Sequence, residues 1–587
     1  MSIVIEDYYF TYLGRDEPTL KNINLKVNRG EKVAIVGPIG AGKSTLLKSL
    51  NGLVPYEFPG RQEGKILING MDITKMTISE LSRYVGMVLE NPATQTFALT
   101  VEEDIAFGPS NLGLSKDEIL ERVRFAIEVT RLKGLERRNP NELSGGQQQS
   151  LAIAGILAMQ PDIILLDEPL SMLDPIGKYQ VLEVFKNITQ QQNTTFIITE
   201  SGPDIEVIPN FVDRVIFMNN GEILLDGPTK EVLSNELVSS MGVRLPQVTE
   251  LFYTLKDRFP ELEIPITIDE AVELLKKEIS IDFKSIRANS LLEKSSKEKA
   301  HYLNYVRNRE NIAIFVKDLT YTYEAGVTAL KGISLKISPG EFVGIIGQNG
   351  SGKTTLALNI VGLLQSNDPN SAILVDGLDV KTTPLKNLIT HVNYVFQNPD
   401  NQLFSKTVIE EMEYGPRMIG LPEDEVKKRV NRMLNLFQIE EYREDFIIGL
   451  PRNIKVILAI ASVFALEPRH IIIDEPTTGL DSESGKRIME VLKYFNKQGH
   501  TIIIITHDMK LVAEYCSRVV VLHEGRVLLD GPTRWVFSRS DILKKAFVQP
   551  PQITQLASKV LYNEKIPAIV DVNELADLIL ENVGEGT

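Results

Sequence analysis

Two kinds of hydrophobic pattern alternate along the chain. Runs with no polar break, DIILLD at 162–167 and TTFIIT at 194–199, then HIIID at 470–474 and TIIIIT at 501–506, have the make-up of strands buried on both faces. KVAIVG at 32–37 is another β-rich run that ends in a glycine loop, and GKSTLLKSLNGL behind it has helical spacing, which predicts strand, loop, helix. The stretches SKDEILERVRFAIEVTRL at 115–132 and LPEDEVKKRVNRMLNLFQI at 421–439 predict helices inserted between such strands. The fold class expected is α/β, with a mainly parallel sheet and an inserted helical subdomain. The longest wholly apolar runs, such as Ile502 to Ile505, fall far short of the ~20 residues that a membrane span needs, so a soluble chain is expected whose membrane role comes through partners.

The pattern is written twice. GPIGAGKST at 37–45 recurs as GQNGSGKTT at 347–355, with Lys43 and Lys353 placed 310 residues apart. ILLDEP recurs as IIIDEP, SMLDP as TGLDS, GEILLDGPT at 221–229 as GRVLLDGPT at 525–533, and PQVTEL at 246–251 as PQITQL at 551–556. Tandem copies follow, each with its own carboxyl-terminal appendix. The expected organisation is a nucleotide-binding domain over 1–240, an appendix over 241–285, a polar linker with some helix over 286–311, a second nucleotide-binding domain over 312–535, and a second appendix over 536–587.

Length and composition agree with several folded domains: 587 residues, 43% hydrophobic and 24% charged. The 63 Lys and Arg against 78 Asp and Glu leave a net charge of −15, so nucleic acid is not an expected partner. Cys516 stands alone and reads as a small buried hydrophobe in a reducing compartment. The start, MSIVIEDYYF, lacks a basic region followed by an apolar run of signal-peptide length, and no secretion signal is expected.

GxxxxGK[ST] between strand and helix is phosphate chemistry. Gly37, Gly40 and Gly42 let the backbone wrap a phosphate, Lys43 neutralises charge, Ser44 offers a hydroxyl to Mg²⁺, and Thr45 completes the motif. Gly347, Asn349, Gly350, Gly352, Lys353, Thr354 and Thr355 repeat the arrangement. Asp167 and Asp474 end apolar strands where a carboxylate can hold the metal, and Glu168 and Glu475 follow as candidate general bases for a hydrolytic water. The cofactors expected are ATP and Mg²⁺.

LSGGQQQ at 143–149 narrows the class. With the elements above it resembles the signature of the ATP-binding-cassette (ABC) superfamily, over about four-fifths of the chain. The resemblance implies two cassettes paired head to tail within one chain, each ATP lying between the phosphate loop of one copy and the signature of the other. It implies that Ser144, Gly145, Gly146 and Gln147 meet the γ-phosphate, that Tyr12 and Tyr323 stack on adenine, and that Asp174 and Asp481 lie in a loop communicating between sites, unless each is a helix cap. Gln397 matches the glutamine that touches metal and attacking water, and His507 matches the switch histidine.

The copies then part. The first has Glu90 and Glu200 at the glutamine and histidine positions, while the second has Leu450 to Ile454 in place of the signature. Head-to-tail pairing would gather all three losses in one composite site. One hydrolytic site is expected, on Lys353, Thr354, Gln397, Asp474, Glu475, His507 and the first copy's signature. The other site keeps Lys43, Ser44, Asp167 and Glu168 and should hydrolyse slowly, because Pro451 offers neither hydroxyl nor N–H and a carboxylate at Glu200 would repel the γ-phosphate. Arg452 could compensate in part as a phosphate partner.

TVEEDIAFGPSNLGLSKDEI at 100–119 and NQLFSKTVIEEMEYGPRMIGLPEDEV at 401–426 resemble the ATPases of energy-coupling-factor (ECF) importers for vitamins, vitamin precursors and metal ions such as cobalt or nickel. That resemblance implies a peripheral subunit on the cytoplasmic face of the membrane, docked on an integral-membrane coupling subunit beside a substrate-binding membrane subunit. The alternative is a soluble tandem-cassette ATPase acting on ribosomes, like the ABC-F translation factors. Those rely on a long basic linker, whereas 282–311 carries seven Lys and Arg against four Asp and Glu. A mechanical DNA-repair ATPase would need coiled-coil heptads, which are not seen. The appendices show apolar spacing compatible with short helices, which either hold the cassettes near each other or cover their own domains.

Overall fold

The computed structural model describes residues 2–583 except 144, 171, 172, 174, 280–285, 287, 308–311, 325 and 562–565. The chain divides into two compact units, Met1–Glu250 with Glu263–Glu270, and Leu251–Leu262 with Ala271–Thr587.

In the first unit, β1 (Ile3–Tyr12), β2 (Leu20–Val27), β4 (Gly60–Ile68) and β5 (Met71–Asp72) form an antiparallel sheet ordered β2-β1-β4-β5. β3 (Lys32–Val36), β6 (Val85–Val88), β7 (Ile163–Asp167), β8 (Thr195–Glu200), β9 (Arg214–Asn219) and β10 (Glu222–Pro228) form the second sheet, ordered β10-β9-β3-β8-β7-β6. Its first five members run parallel and β10 closes it antiparallel. The sequence pattern predicts this parallel core and is silent on the antiparallel sheet. Asp7 takes a positive φ and the pairing of β1 shifts register beside it, which breaks the two-residue alternation that would have announced a strand.

Every residue of β7 is buried, as its unbroken apolar run requires. Phe10 of one sheet and Ile35 of the other share a core with Leu46 and Leu47 of the helix Lys43–Leu50. Helices Val101–Asn111, Lys116–Val129 and Gly145–Met159 build a separate small core around Ile105, Val123 and Leu151. Ser115 caps the second of them by accepting from the Glu118 N–H, with Asp117 and Glu118 in the first turn.

The second unit repeats the plan. β11 (Ile314–Thr322), β12 (Thr328–Ile337), β14 (Ala372–Val375) and β15 (Leu378–Asp379) make the antiparallel sheet, ordered β12-β11-β14-β15. β13 (Phe342–Ile346), β16 (Val392–Val395), β17 (His470–Asp474), β18 (Thr501–Ile505), β19 (Arg518–His523) and β20 (Arg526–Pro532) are ordered β16-β17-β18-β13-β19-β20. The helical part holds Val408–Met418, started by a Thr407/Glu410 capping box, and Glu423–Leu436.

The segment read as an exposed linker carries the helix Asn289–Arg307, and that helix is pinned to the second unit. Arg534 is buried and its guanidinium donates to Glu298 on this helix and to Glu574 on the terminal helix Val572–Asn582. A buried guanidinium needs carboxylate partners, and these two meet that need. Lys294 also pairs with Glu574. Among the described residues, no helix is long and apolar enough to cross a membrane.

Candidate active sites

Each phosphate loop follows a buried strand, β3 or β13, directly. A Cβ at Gly37 would come within 2.2 Å of the Met218 carbonyl oxygen, and one at Gly347 within 2.2 Å of that of Leu522, so the neighbouring strand fixes glycine there. Gly42 and Gly352, at φ 98° and 100°, turn the chain into the helices Lys43–Leu50 and Lys353–Ile360. Lys43 Nζ donates to the carbonyls of Gly37 (2.9 Å) and Pro38 (3.0 Å), and Lys353 Nζ to those of Gly347 (2.8 Å) and Gln348 (2.9 Å). Each lysine thus arches over its own loop, where Gly40 in the first copy and Asn349 and Gly350 in the second form the turn.

The strand-end carboxylates meet the loop hydroxyls. Ser44 Oγ donates to Asp167 at 2.8 Å, and Thr354 Oγ1 donates to Asp474 at 2.6 Å. A hydroxyl and a carboxylate at the first turn of a helix are all-oxygen donors that suit a small hard cation. Burial raises the pKa of Asp474, a tendency that hydrogen bonds from Thr354 and Tyr394 and the charge of Lys353 oppose. Tyr394, on β16, donates to Asp474 at 2.8 Å and has Met87 as its counterpart in the first copy. No motif marks this tyrosine, because its role depends on β16 lying beside β17.

Glu168 and Glu475 both take positive φ, at 45° and 54°, which swings each side chain away from its strand. Glu475 accepts from Thr506 Oγ1 at 3.0 Å, and His507 Nε2 lies 3.6 Å from its other oxygen. Glu168 accepts from Ser201 Oγ at 2.6 Å and stands 3.9 Å from Lys43 Nζ. Its pKa is raised, burial outweighing the lysine charge. Lys43 is shifted down by burial, against the pull of Glu168, Asp167, Glu200 and Glu90.

The structure therefore gathers Lys353, Thr354, Asp474, Glu475 and His507 at one edge of the second sheet, and Lys43, Ser44, Asp167, Glu168 and Glu200 at the same edge of the first. Gln397 follows β16 as an exposed side chain at that edge. Tyr12 and Tyr323 are hydrogen bonded through their hydroxyls to Thr45 (3.0 Å) and Thr355 (2.9 Å), which sets each ring beside its phosphate loop. Asp481 caps the helix Ser482–Lys497 through the Ser484 N–H at 2.7 Å. Gly145, Gly146 and Gln147 open the helix Gly145–Met159, whereas Ser144 and Asp174 lie outside the described residues. In the second unit the corresponding helix, Arg452–Phe464, starts at Pro451 with no side-chain cap, and Arg452 packs beside Gly479 of its own cassette.

A family model described as "ABC transporter" matches residues 20–171 and again 330–478. A chain from Caldanaerobacter subterraneus, provisionally named an ABC transporter ATP-binding protein, is 37% identical over 95% of this chain and 96% of its own length. One of the same provisional name from Methanosarcina acetivorans is 38% identical over 98% of this chain and 93% of its own. Among solved structures, cbiO1 from Clostridium perfringens, described as part of the ABC transporter complex cbiONQ, is 39% identical with a TM-score of 0.36, covering 40% of this chain and 94% of that one.

Proposed function

The chain belongs to the ABC transporter family as an ATPase with two cassettes in one polypeptide, and from that premise we propose that it is the energy-coupling subunit of an ECF-type importer with one hydrolytic and one degenerate ATP site. The observation that carries this reading is the asymmetry of the two carboxylate ends. Glu475 stands beside His507 and accepts from Thr506, an arrangement that keeps it poised as general base for a water attacking the γ-phosphate. His507, 3.6 Å from Glu475, would hold the geometry of that attack. Lys353 balances phosphate charge, and Tyr323 holds the base. Mg²⁺, held by Thr354, Gln397 and Asp474 or by Ser44 and Asp167, would neutralise charge developing on the phosphate oxygens.

In the proposed head-to-tail pairing, this site is completed by Ser144, Gly145, Gly146 and Gln147 of the first cassette. The degenerate site combines Lys43, Ser44, Asp167 and Glu168 with the Pro451 and Arg452 region. The test is steady-state ATPase of Glu475→Gln against Glu168→Gln. A loss of roughly a hundredfold or more is expected for the first and a small one for the second; equal losses would overturn the asymmetry.

Exposed aromatic pairs support a membrane partner. Phe97 and Phe107 meet edge to face at 4.4 Å, and Phe404 and Tyr414 at 4.7 Å, each pair in the segment just past the glutamine position. All four side chains are exposed, Phe97 at 61% and Phe404 at 64%, which is what a surface for an apolar helix of a membrane subunit requires. The coupling subunit would dock here, on the cytoplasmic face, and transmit closing and opening of the cassettes. Selection of a vitamin, vitamin precursor or metal ion would lie with the substrate-binding membrane subunit. Isolation of the chain from its own cells in mild detergent should bring polytopic membrane proteins with it; ribosomal proteins in their place would refute the transporter reading.

A further inference from the structure

Glu200 departs from its counterpart, His507, and two residues around it depart with it. At the spacing of 307 that relates Glu200 to His507, Lys178 corresponds to Gly485 and Asp204 to Leu511. The second cassette thus has no charge where the first has an ion pair. Lys178 Nζ meets Asp204 at 2.5 Å, and both side chains are about nine-tenths buried.

Glu200 is 2% exposed, and its Oε1 is buried without a hydrogen-bond partner among the described residues. It ends β8, which lies between β7 and β3, with Glu200 opposite Val36 at the last step before the phosphate loop. Ligands of open α/β sheets bind at this carboxyl edge. The charged groups acting on Glu200 are Asp204, Glu168, Lys178 and Lys43. Lys178 is engaged by Asp204, and Lys43 by its loop carbonyls and Glu168. An ionised Glu200 would add a second buried carboxylate beside Glu168, with no donor to its Oε1 among the described residues. Burial, followed by the charges of Asp204 and Glu168, accordingly pushes its pKa well above the carboxylate range.

We propose that Glu200 is a neutral carboxylic acid that donates its O–H to a terminal phosphate oxygen of ATP bound at the first phosphate loop, so that the first cassette holds nucleotide through a proton its sister does not need. The repulsion expected from the sequence is replaced by attraction, because a protonated carboxyl is a donor and an ionised one is not. The ion pair Lys178–Asp204 keeps the proton in place: Asp204 engages Lys178, the nearer in effect of the two lysines that could have stabilised the anion, and Lys43 is held by its loop carbonyls. Nucleotide is then held at low and neutral pH and released as alkali removes the proton. The inference rests on the reading of the first cassette as an ATP site.

The test is equilibrium binding of a methylanthraniloyl-ATP probe to the full chain carrying Lys353→Ala, from about pH 6 to about pH 9. With Glu200 present, affinity should fall roughly tenfold or more across that range. Glu200→Gln, a neutral donor of the same shape, should keep the affinity seen at low pH and flatten the profile, while Glu200→Ala should bind weakly throughout. Titration of the nucleotide itself is common to all three. At neutral pH the infrared difference between wild type and Glu200→Gln should contain the carbonyl band of a protonated carboxyl group. Tighter binding by Glu200→Gln than by wild type at neutral pH, with no such band, would overturn the proposal and leave the ATP site standing. Binding that does not depend on Lys43 would remove both.

Discussion

Replacing Arg534 by alanine strips Glu574 and Glu298 of the cation that ties the helix Asn289–Arg307 and the terminal helix to the second unit. Burial alone would raise the pKa of Glu574, but hydrogen bonds and charge from Arg534, then from Lys294, reverse this and bring it to about 2. Against an ordinary carboxylate near 4.5, that depression corresponds to roughly 3 kcal/mol, with Arg534 the larger contributor and Lys294 the smaller. Removing one partner of a buried pair costs ~3–5 kcal/mol in general, which agrees. The chain has one tryptophan, Trp535, the neighbour of Arg534 on the same short helix. Its fluorescence in urea therefore reports the unfolding of this unit. Arg534→Ala should lower the unfolding free energy by about 3 kcal/mol at neutral pH. The folded-state pKa of Glu574 is depressed, so its contribution is present above about pH 4.5 and is lost as the pH falls toward about 2; the gap between wild type and variant should narrow over that window. A gap under about 1 kcal/mol at neutral pH, or one that does not change with acid, would refute the reasoning.

Two further outcomes follow from the sites. Tyr323→Phe keeps the ring and loses only the hydrogen bond to Thr355, so ATP affinity by fluorescence titration should stay within about threefold, while Tyr323→Ala should cost about tenfold; equal effects would mean that the ring does not contact the base. Phe404→Ala with Tyr414→Ala should leave the ATPase rate of the isolated chain unchanged and reduce recovery of membrane subunits severalfold in detergent pull-downs, since both rings are exposed and pack on each other; a fall in the isolated rate would place these residues in the cassette's own working parts.

Much of the fold was legible because its signals are local. An unbroken run such as HIIID has the make-up of a strand buried on both faces, and β17 is buried at every position. The helical spacing of 115–132 and 421–439 reappears as Lys116–Val129 and Glu423–Leu436, each a few residues shorter, mostly at its carboxyl end. The glycine loops were equally plain, since both the tight turn and the close approach of Met218 and Leu522 leave room for no other residue. What stayed hidden depends on residues far apart in sequence. The linker looked polar and exposed, yet Glu298 finds Arg534 236 residues away. Tyr394 reaches Asp474 on the neighbouring strand, 80 residues on, and nothing in YVFQNP announces it.

The sequence by itself determined the duplication, the parallel core, the phosphate-binding chemistry and the loss of three consensus positions, because each of these is carried by residue types at fixed spacing. Only the tertiary structure showed the surroundings of one of those losses, on which the proposed proton at Glu200 rests. Glutamate at position 200 reads as an anion in any linear view, since an exposed carboxyl is ionised at neutral pH. The folded chain buries it, pairs Lys178 with Asp204, and leaves its Oε1 without a donor among the described residues. Solvation and neighbouring charge, which set a proton's free energy, are properties of the packed site and not of the residue.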